Sequence, residues 1–300
     1  MNRAQFSKSV VPGLFSFMNS ALTRRPKFYD QVTKVKTSKR AYEENAYYAG
    51  LGLMAEKPEG EQISYDDFIQ GPTKRWTPKT YGLGVRFTEE LIEDSLYPDV
   101  SSSFSDMSKE LGNSAAETME VLIHDIYNSG TVTTTHTAGD GLAIFSTVHK
   151  SLNGGTWSNK SSADASLSAT SLKQGFLDFE NVLSDRGIQQ VQRPAILLVP
   201  PSLEFTAREL LQSTYTPEDN NNSINVIQSR GLKLIVDPYL TSTTAWYLIG
   251  EENPVITFMR RAPKFANDGD FETGDAKFKG TFRMSVEVNK PIGIYRNTGA

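Results

Sequence analysis

SSFSDMSKELGNSAAETMEVLIHDIY, residues 102–127, is the stretch on which the reading of the fold turns. From just ahead of it to its end, Val100, Phe104, Met107, Leu111, Ala115, Met119, Leu122 and Ile126 recur at intervals of three and four. That spacing predicts one apolar stripe along a helix of about seven turns. At 1.5 Å per residue such a helix is roughly 40 Å long, a backbone element for an elongated body. Upstream, Thr88 followed by Glu89 and Glu90 predicts a first, shorter helix, because the hydroxyl can cap free amides and the acids face the positive end of the dipole. Pro98 is expected to interrupt it.

Downstream, residues 129–164 turn to Gly, Thr, Ser and Asn around one apolar piece, GLAIFSTVHKSL, and predict an irregular region with a strand or two. Leu172, Phe176, Phe179 and Leu183 return to helical spacing, with a start at Thr170 or Ser168 and a stop at Gly187. A strand follows at Ala195–Pro200, a helix from Ser202 to about Gln212, and strands at Leu232–Val236 and Trp246–Ile249. Helices alternating with strands indicate a mixed α+β unit over roughly 130–250. From Lys277 to Asn289 the alternation is strict: Phe278, Phe282, Met284, Val286 and Val288 on one face, Lys277, Lys279, Arg283 and Glu287 on the other. This predicts a half-buried antiparallel strand, with Val255–Arg261 as its partner and GIYR at 293–296 adding another. The long helix and these strands flank the mixed unit, which therefore reads as an insertion.

Ahead of the helices, residues 1–50 mix basic side chains with the apolar anchors Phe6, Val10, Leu14, Phe15, Phe17 and Phe28 and show no sustained period. The expectation is an extended arm with a short helical piece. Pro58, Gly60, Gly71 and Pro72 then punctuate a polar stretch in which Ile63, Tyr65 and Phe68 alternate, as in a long two-stranded hairpin loop. Loops of that length are uncommon and usually functional.

The composition is that of a folded protein: 300 residues, 38% hydrophobic and 22% charged, with 16 Phe, 12 Tyr and 3 Trp. With no cysteine, disulfides, zinc–thiolate sites, iron–sulfur clusters and thiol catalysis are excluded. No apolar run is long enough for a membrane span and no secretory leader is evident, so the expectation is a protein made in a cytoplasm. The chain has 31 Lys and Arg against 35 Asp and Glu; nine and one of these fall in residues 1–40, leaving 22 and 34, or -12, in the remainder. A basic arm of this kind suits an acidic surface or a polyanion, and equally a solvated tail.

No motif carries catalysis. His124 lies beside the stripe of the long helix and reads as a structural or surface histidine, and neither His136 nor His149 has ligands at metal-binding spacing. There is no GxSxG elbow, phosphate loop or dinucleotide fingerprint. GLGV at 82–85 reads as close backbone approach or a turn. The acid pairs Asp66–Asp67, Glu89–Glu90 and Glu251–Glu252 sit in polar stretches with no contrast of environment to split their roles. No catalytic, cofactor or metal site is expected.

Taken in order, AIFSTVHKSLNGGTWSN (143–159), AILLVPPSLEFTARELL (195–211), LKLIVDPYL (232–240), WYLI (246–249) and the final strand region resemble the major head (major capsid) protein of tailed bacteriophages, in its Mu-like branch. The resemblance covers most of residues 87–298; the arm and loop match by arrangement. It implies an α+β Johnson-type capsid fold: arm 1–50, extended loop 51–84, peripheral domain 85–130 with the spine helix at about 102–128, axial domain 131–250, and peripheral sheet 251–300.

The resemblance further implies a subunit that assembles with itself into hexamers and pentamers, enclosing packaged double-stranded DNA in an icosahedral shell. Scaffold, portal and possible decoration proteins are the implied partners, DNA contact is nonspecific, and no membrane is involved. Assembly would take place in the host cytoplasm and the final location would be the virion. A bacterial nanocompartment shell of the same fold and a soluble hydrolytic enzyme are the competing classes. Arg24, Arg25, Lys27, Lys34 and Lys36 in the arm and Tyr65, Phe68 and Trp76 in the loop are the expected inter-subunit contacts; each aromatic could equally pack within its own hairpin. Because the arm begins almost at Met1, a separate scaffold is expected rather than a fused one. No motif marks Lys57, Lys74 or Lys79 as crosslink sites.

Overall fold

The computed structural model describes residues 11–88, 90, 98–215, 223–269 and 274–299. In chain order they form α1 (Val11–Arg24), α2 (Tyr29–Val32), β1 (Lys34–Thr37), β2 (Glu43–Ala49), β3 (Ile69–Trp76), β4 (Lys79–Phe87) and α3 (Pro98–Ser129). Next come β5 (His149–Lys150), β6 (Thr156–Trp157), α4 (Ala169–Glu180), β7 (Pro194–Val199) and α5 (Glu204–Gln212). The chain closes with β8 (Lys233–Val236), β9 (Trp246–Gly250), β10 (Ile256–Gly269), β11 (Ala276–Glu287) and β12 (Ile294–Asn297). One sheet runs β1-β10-β11-β4 and a second β12-β9-β7-β8, while β2 and β3 make a separate hairpin.

The long helix, α3, has 32 residues. Pro98 opens it rather than breaking it, since a first-turn residue needs no intrahelical N–H bond. Most of the shorter helix expected from Thr88 lies outside the described residues. Leu111, Met119 and Ile126 are buried as the spacing requires, but Met107 is exposed; Ser108, Ala116, Glu120, Ile123, His124 and Tyr127 continue the buried face. The stripe thus sits further round the helix than an apolar-only reading puts it, because three of its members are polar.

Segment 11–37 is not an extended arm. Leu14, Met18 and Ala21 of α1 are buried, the first two packing with Leu111, Phe87 and Phe278. Gly112 is where the two helices touch: a Cβ there would overlap the Met18 carbonyl. β1 then pairs in parallel with β10, from Lys34↔Ile256 to Thr37↔Met259. The first sheet is therefore built from both ends of the sequence, with α1 and α3 on one face.

β11 alternates as predicted from Phe278 to Met284 and pairs with β10 and β4. Glu287, expected on the outer face, is 1% exposed. GIYR does not join this sheet. As β12 it pairs with β9, so the second sheet takes its last strand from beyond β11. Every residue of β9 and β12 is buried, which is why neither alternates: Trp246, Leu248 and Tyr295 meet α4 and α5 on one side, and Tyr247, Ile249 and Ile294 meet Ile126, Tyr127 and Phe145 on the other. The α4 start is at Ser168, whose side chain and that of Ser171 form a reciprocal capping box. The helix ends at Glu180, ahead of Gly187, so Leu183 lies beyond it and is exposed. Gly187 instead takes a positive φ of 76° in the turn that follows. Gly82 and Gly84 lie within β4 and approach Thr281 and Phe278, so GLGV is a strand and not a turn.

Candidate functional site

Two features of this body stand out, an uncovered loop and a buried polar seam. The first is the segment between β2 and β3. Its strands pair from Glu43↔Trp76 to Ala49↔Ile69, so residues 50–68 form the tip. Ile63 and Tyr65, expected in strands, belong to this irregular tip. Leu53 is 83% exposed, Met54 102% and Tyr65 96%, with Ile63 and Phe68 also in solvent. Loops this long without secondary structure of their own are usually functional, and exposed apolar side chains of this size mark surfaces that associate.

The root of the tip is pinned from a distant part of the chain. Arg186 donates from Nε to the Gly50 carbonyl at 2.9 Å, approaches Asp66 Oδ1 at 3.2 Å, and reaches the Asp67 carbonyl. Asp66 also accepts from the Gly52 amide at 2.8 Å, and that bond, with the guanidinium, holds its carboxyl below the usual range. Replacing Arg186 with Ala is expected to free the root without unfolding the body. Limited proteolysis should then cut within 50–68 severalfold faster at an unchanged melting temperature; an unchanged cleavage rate would show that the pin does not hold the tip.

The second feature is a buried polar seam where segment 25–33 meets α3. Glu120 accepts from the Phe28 and Tyr29 amides at 3.0 Å each, and so caps α2. His124, fully buried, places Nδ1 2.7 Å from the Glu120 carbonyl oxygen and Nε2 2.5 Å from Asp237 Oδ2, and it stacks on Tyr239 at 5.2 Å. Tyr239 donates to Glu117, which pairs with Arg25. Tyr127 Oη and Asn253 Nδ2 both donate to the Val32 carbonyl, at 2.6 Å each. Burial pushes the Glu120 carboxyl above its ordinary pKa, which His124 and the two amides only partly counter. For His124, burial acts downward but is outweighed by Asp237 and Glu120, and the net shift is upward. His124 is therefore a structural histidine at the centre of a cluster, not a surface one.

The other histidines are also tied to acids. His136 Nε2 is 2.7 Å from Asp125, and His149, stacked on Trp157, has Nδ1 2.7 Å from Asp140. Among the described residues no group of three or more His, Asp or Glu is placed to hold a metal ion. The groove between Arg25 and α3, about 430 Å³, is lined by the Arg25–Glu117 pair with Glu110, Ser114 and Val121.

The residues singled out from sequence fall in three places. Arg24, Arg25 and Lys27 cluster at the α1–α2 junction, all exposed, though Arg25 is paired with Glu117 of its own α3. Lys34 and Lys36 project from β1, an edge strand. Tyr65 and Phe68 lie in the tip, whereas Trp76 is half-buried at the hairpin's root with Lys74 Nζ 5.5 Å from its ring centroid. Lys74 turns inward to Thr137, and burial lowers its pKa. Arg186, Glu120 and Asp237 carry no sequence signal, because each is bound to a partner more than 90 positions away, and Glu120 in addition sits one helical turn from His124.

A long helix thus lies beside one sheet, a second sheet stands next to them, and a hairpin projects from the body. The family model of phage capsid proteins matches residues 71–297. The chain belongs to the phage capsid protein family. It is a subunit of a capsid shell, and its fold is the Johnson fold seen in solved capsids. The cyanophage P-SCSP1u capsid protein is 11% identical with a TM-score of 0.57, over 92% of this chain and 89% of that one. The procapsid subunit of bacteriophage JBD30 is 15% identical with a TM-score of 0.53, over 100% and 77%. The holo-SrpI encapsulin of Synechococcus elongatus PCC 7942 shares the fold, with 12% identity, a TM-score of 0.52 and coverage of 92% and 89%. No curated protein matches the sequence.

Proposed function

We propose that copies of this chain close into hexamers and pentamers, and these into an icosahedral head around double-stranded DNA, as a major head subunit of the Mu-like branch. The observation that carries this reading is the uncovered tip at residues 50–68, whose apolar side chains lie in water in the isolated chain. Contacts that join one patch to a different patch on the next copy close into rings, and obligate interfaces of roughly 2,000–5,000 Å² cover such surfaces.

In this reading 1–50 corresponds to the N-terminal arm, with 11–37 folded onto the body, and 51–84 to the extended loop. The peripheral domain comprises 85–130 and 251–300, and the axial domain is 131–250 with β12 returned to its sheet. Arg24, Lys27, Lys34, Lys36, Tyr65 and Phe68 face neighbouring copies, while Arg25 and Trp76 divide their contacts between their own chain and the next. The role is structural and not catalytic. Scaffold, portal and decoration proteins are further partners, assembly takes place in the host cytoplasm, and nonspecific phosphate contact with DNA falls to basic side chains.

Negative-stain electron microscopy of the purified chain, alone and coexpressed with a scaffold candidate, tests this. Closed shells, or rings of five and six, are expected. Compact monomers in both samples would overturn it, and shells filled with protein cargo and no DNA would assign the chain to nanocompartments.

A further inference from the structure

Three parts of the chain meet at one imidazole. His124 comes from α3 and Asp237 from the turn after β8, while Glu120, one helical turn before His124, receives the Phe28 and Tyr29 amides of the segment between α1 and β1. His124 and Asp237 are shut off from solvent, and Glu120 is 4% exposed. Nδ1 faces the Glu120 carbonyl oxygen at 2.7 Å and Nε2 faces Asp237 Oδ2 at 2.5 Å. A neutral imidazole has a single N–H, so only the imidazolium can donate to both. The ring also stands between two carboxylates, since Glu120 Oε2 is 3.5 Å from Nδ1.

Segment 25–33 is held to this cluster by side chains of the body, and the backbone ladder of β1 starts only at Lys34. α2 is a single turn of four residues, too short to stand alone, and residues 25–28 form neither helix nor strand. The Phe28 and Tyr29 amides end on Glu120, the Val32 carbonyl on Tyr127 and Asn253, and Arg25 on Glu117 at an exposed rim. Asp237 is tied down differently. Its amide donates to the Val199 carbonyl at the end of β7, and Tyr239 of the same turn stacks over the imidazole.

Without its proton, His124 would leave Glu120 and Asp237 as buried anions with one N–H between them, a state that low-dielectric surroundings penalise. The least costly relief is to let water reach Glu120, and segment 25–33 is the cover that can lift. We propose that His124 is a proton-operated latch, which holds segment 25–33 against α3 and lets it swing away from an otherwise folded body when the imidazole is neutral.

The charged and titratable groups around the ring are Glu117 and Glu120 on α3, Arg25, Tyr29 and the exposed Asp30 in the segment, and Asp237 and Tyr239 in the turn. Burial pushes Tyr29 up to about 12 and also raises Tyr239, so neither titrates near neutrality. Burial acts against the charge on His124, but Asp237 and Glu120 outweigh it and the net shift is upward. The latch is therefore closed below pH 6.5 and opens as pH climbs through the folded value.

Hydrogen exchange read by mass spectrometry on the unassembled full-length chain tests this, with rates corrected for the intrinsic effect of pH. From pH 6 to 8.5 the protection of segment 25–33 should fall, roughly tenfold for each pH unit between 6.5 and the folded value of His124, and should lie below that of β9. Asp237→Asn should move the fall to lower pH, because the imidazolium loses the anion that stabilises it. His124→Gln should flatten the pH dependence; if that variant does not fold, the wild-type fall and its displacement in Asp237→Asn decide. Equal protection of 25–33 at both pH values would overturn the latch. So would exchange of the segment only in step with β9, which would mean that the whole body opens, or a fall that stays in place in Asp237→Asn.

Discussion

Removal of residues 1–40 is expected to abolish the soluble, cooperatively folded chain, not only its ability to close shells. Leu14, Met18, Tyr29 and Val32 are buried, and α1 covers Leu111, Phe87 and Phe278. Each large apolar side chain of this kind is worth about 1.5–3 kcal/mol. Losing four of them would consume most of the roughly 5–15 kcal/mol that holds a domain together. β1 would also vanish from the edge of β10, and Glu120 would lose the two amides it caps. Soluble yield and a thermal melt of residues 41–300 provide the check. A fragment that melts cooperatively near the full-length temperature would show that the segment is an appendage after all.

That expectation reverses the one drawn from sequence, and the reason is local. Leu14, Phe15, Met18, Ala21 and Leu22 do repeat as a helix face, but Pro12 and Gly13 precede them and Ser16, Asn19 and Ser20 intervene, so the period is short and easily taken for scattered anchors. Longer patterns were legible: the spine helix, the β11 alternation, and the strands at 194–199, 233–236 and 246–250 stand where periodicity puts them. Partner choice was not. β12 is only four residues long and buried on both faces, so nothing in GIYR says which sheet it joins. Of the candidate contacts, the uncovered tip was visible as an overlong Gly- and Pro-punctuated loop. The seam at His124 was invisible, because Glu120 and Asp237 look like ordinary acids until folding removes their water.

His124→Ala should carry the largest effect of any single substitution in that seam. It would leave Asp237 and Glu120 buried without the cation between them, which costs about 3–5 kcal/mol. For a chain of this size the melting temperature should fall by about 6–10 °C. The wild-type protein should also lose stability as pH rises. The folded pKa of His124 lies above 6.5, so its contribution is complete below pH 6.5 and is lost as pH climbs through the folded value. Glu120, raised above 4.5, acts in the same direction from a lower starting point. Melts recorded from pH 5.5 to 9 should therefore decline for the wild type above pH 6.5 and decline less for His124→Ala. Parallel curves would show that the imidazole carries no net charge in the fold.

The β2–β3 hairpin leaves the body between two strands that occupy opposite rims of one sheet. β1 leads into β2 across residues 38–42, and β3 passes into β4 across 77 and 78. A projection rooted at a single point could swing like a door; this one is a stirrup, with each leg fastened to a different rim. Tension applied at the tip divides between both legs and loads the whole width of the sheet. The tip cannot change its angle unless the sheet twists with it or the legs bend beyond Ala49 and Ile69. Were a neighbouring copy to grip the tip, its pull would reach the spine layer as torsion, and the twist of the sheet would report it.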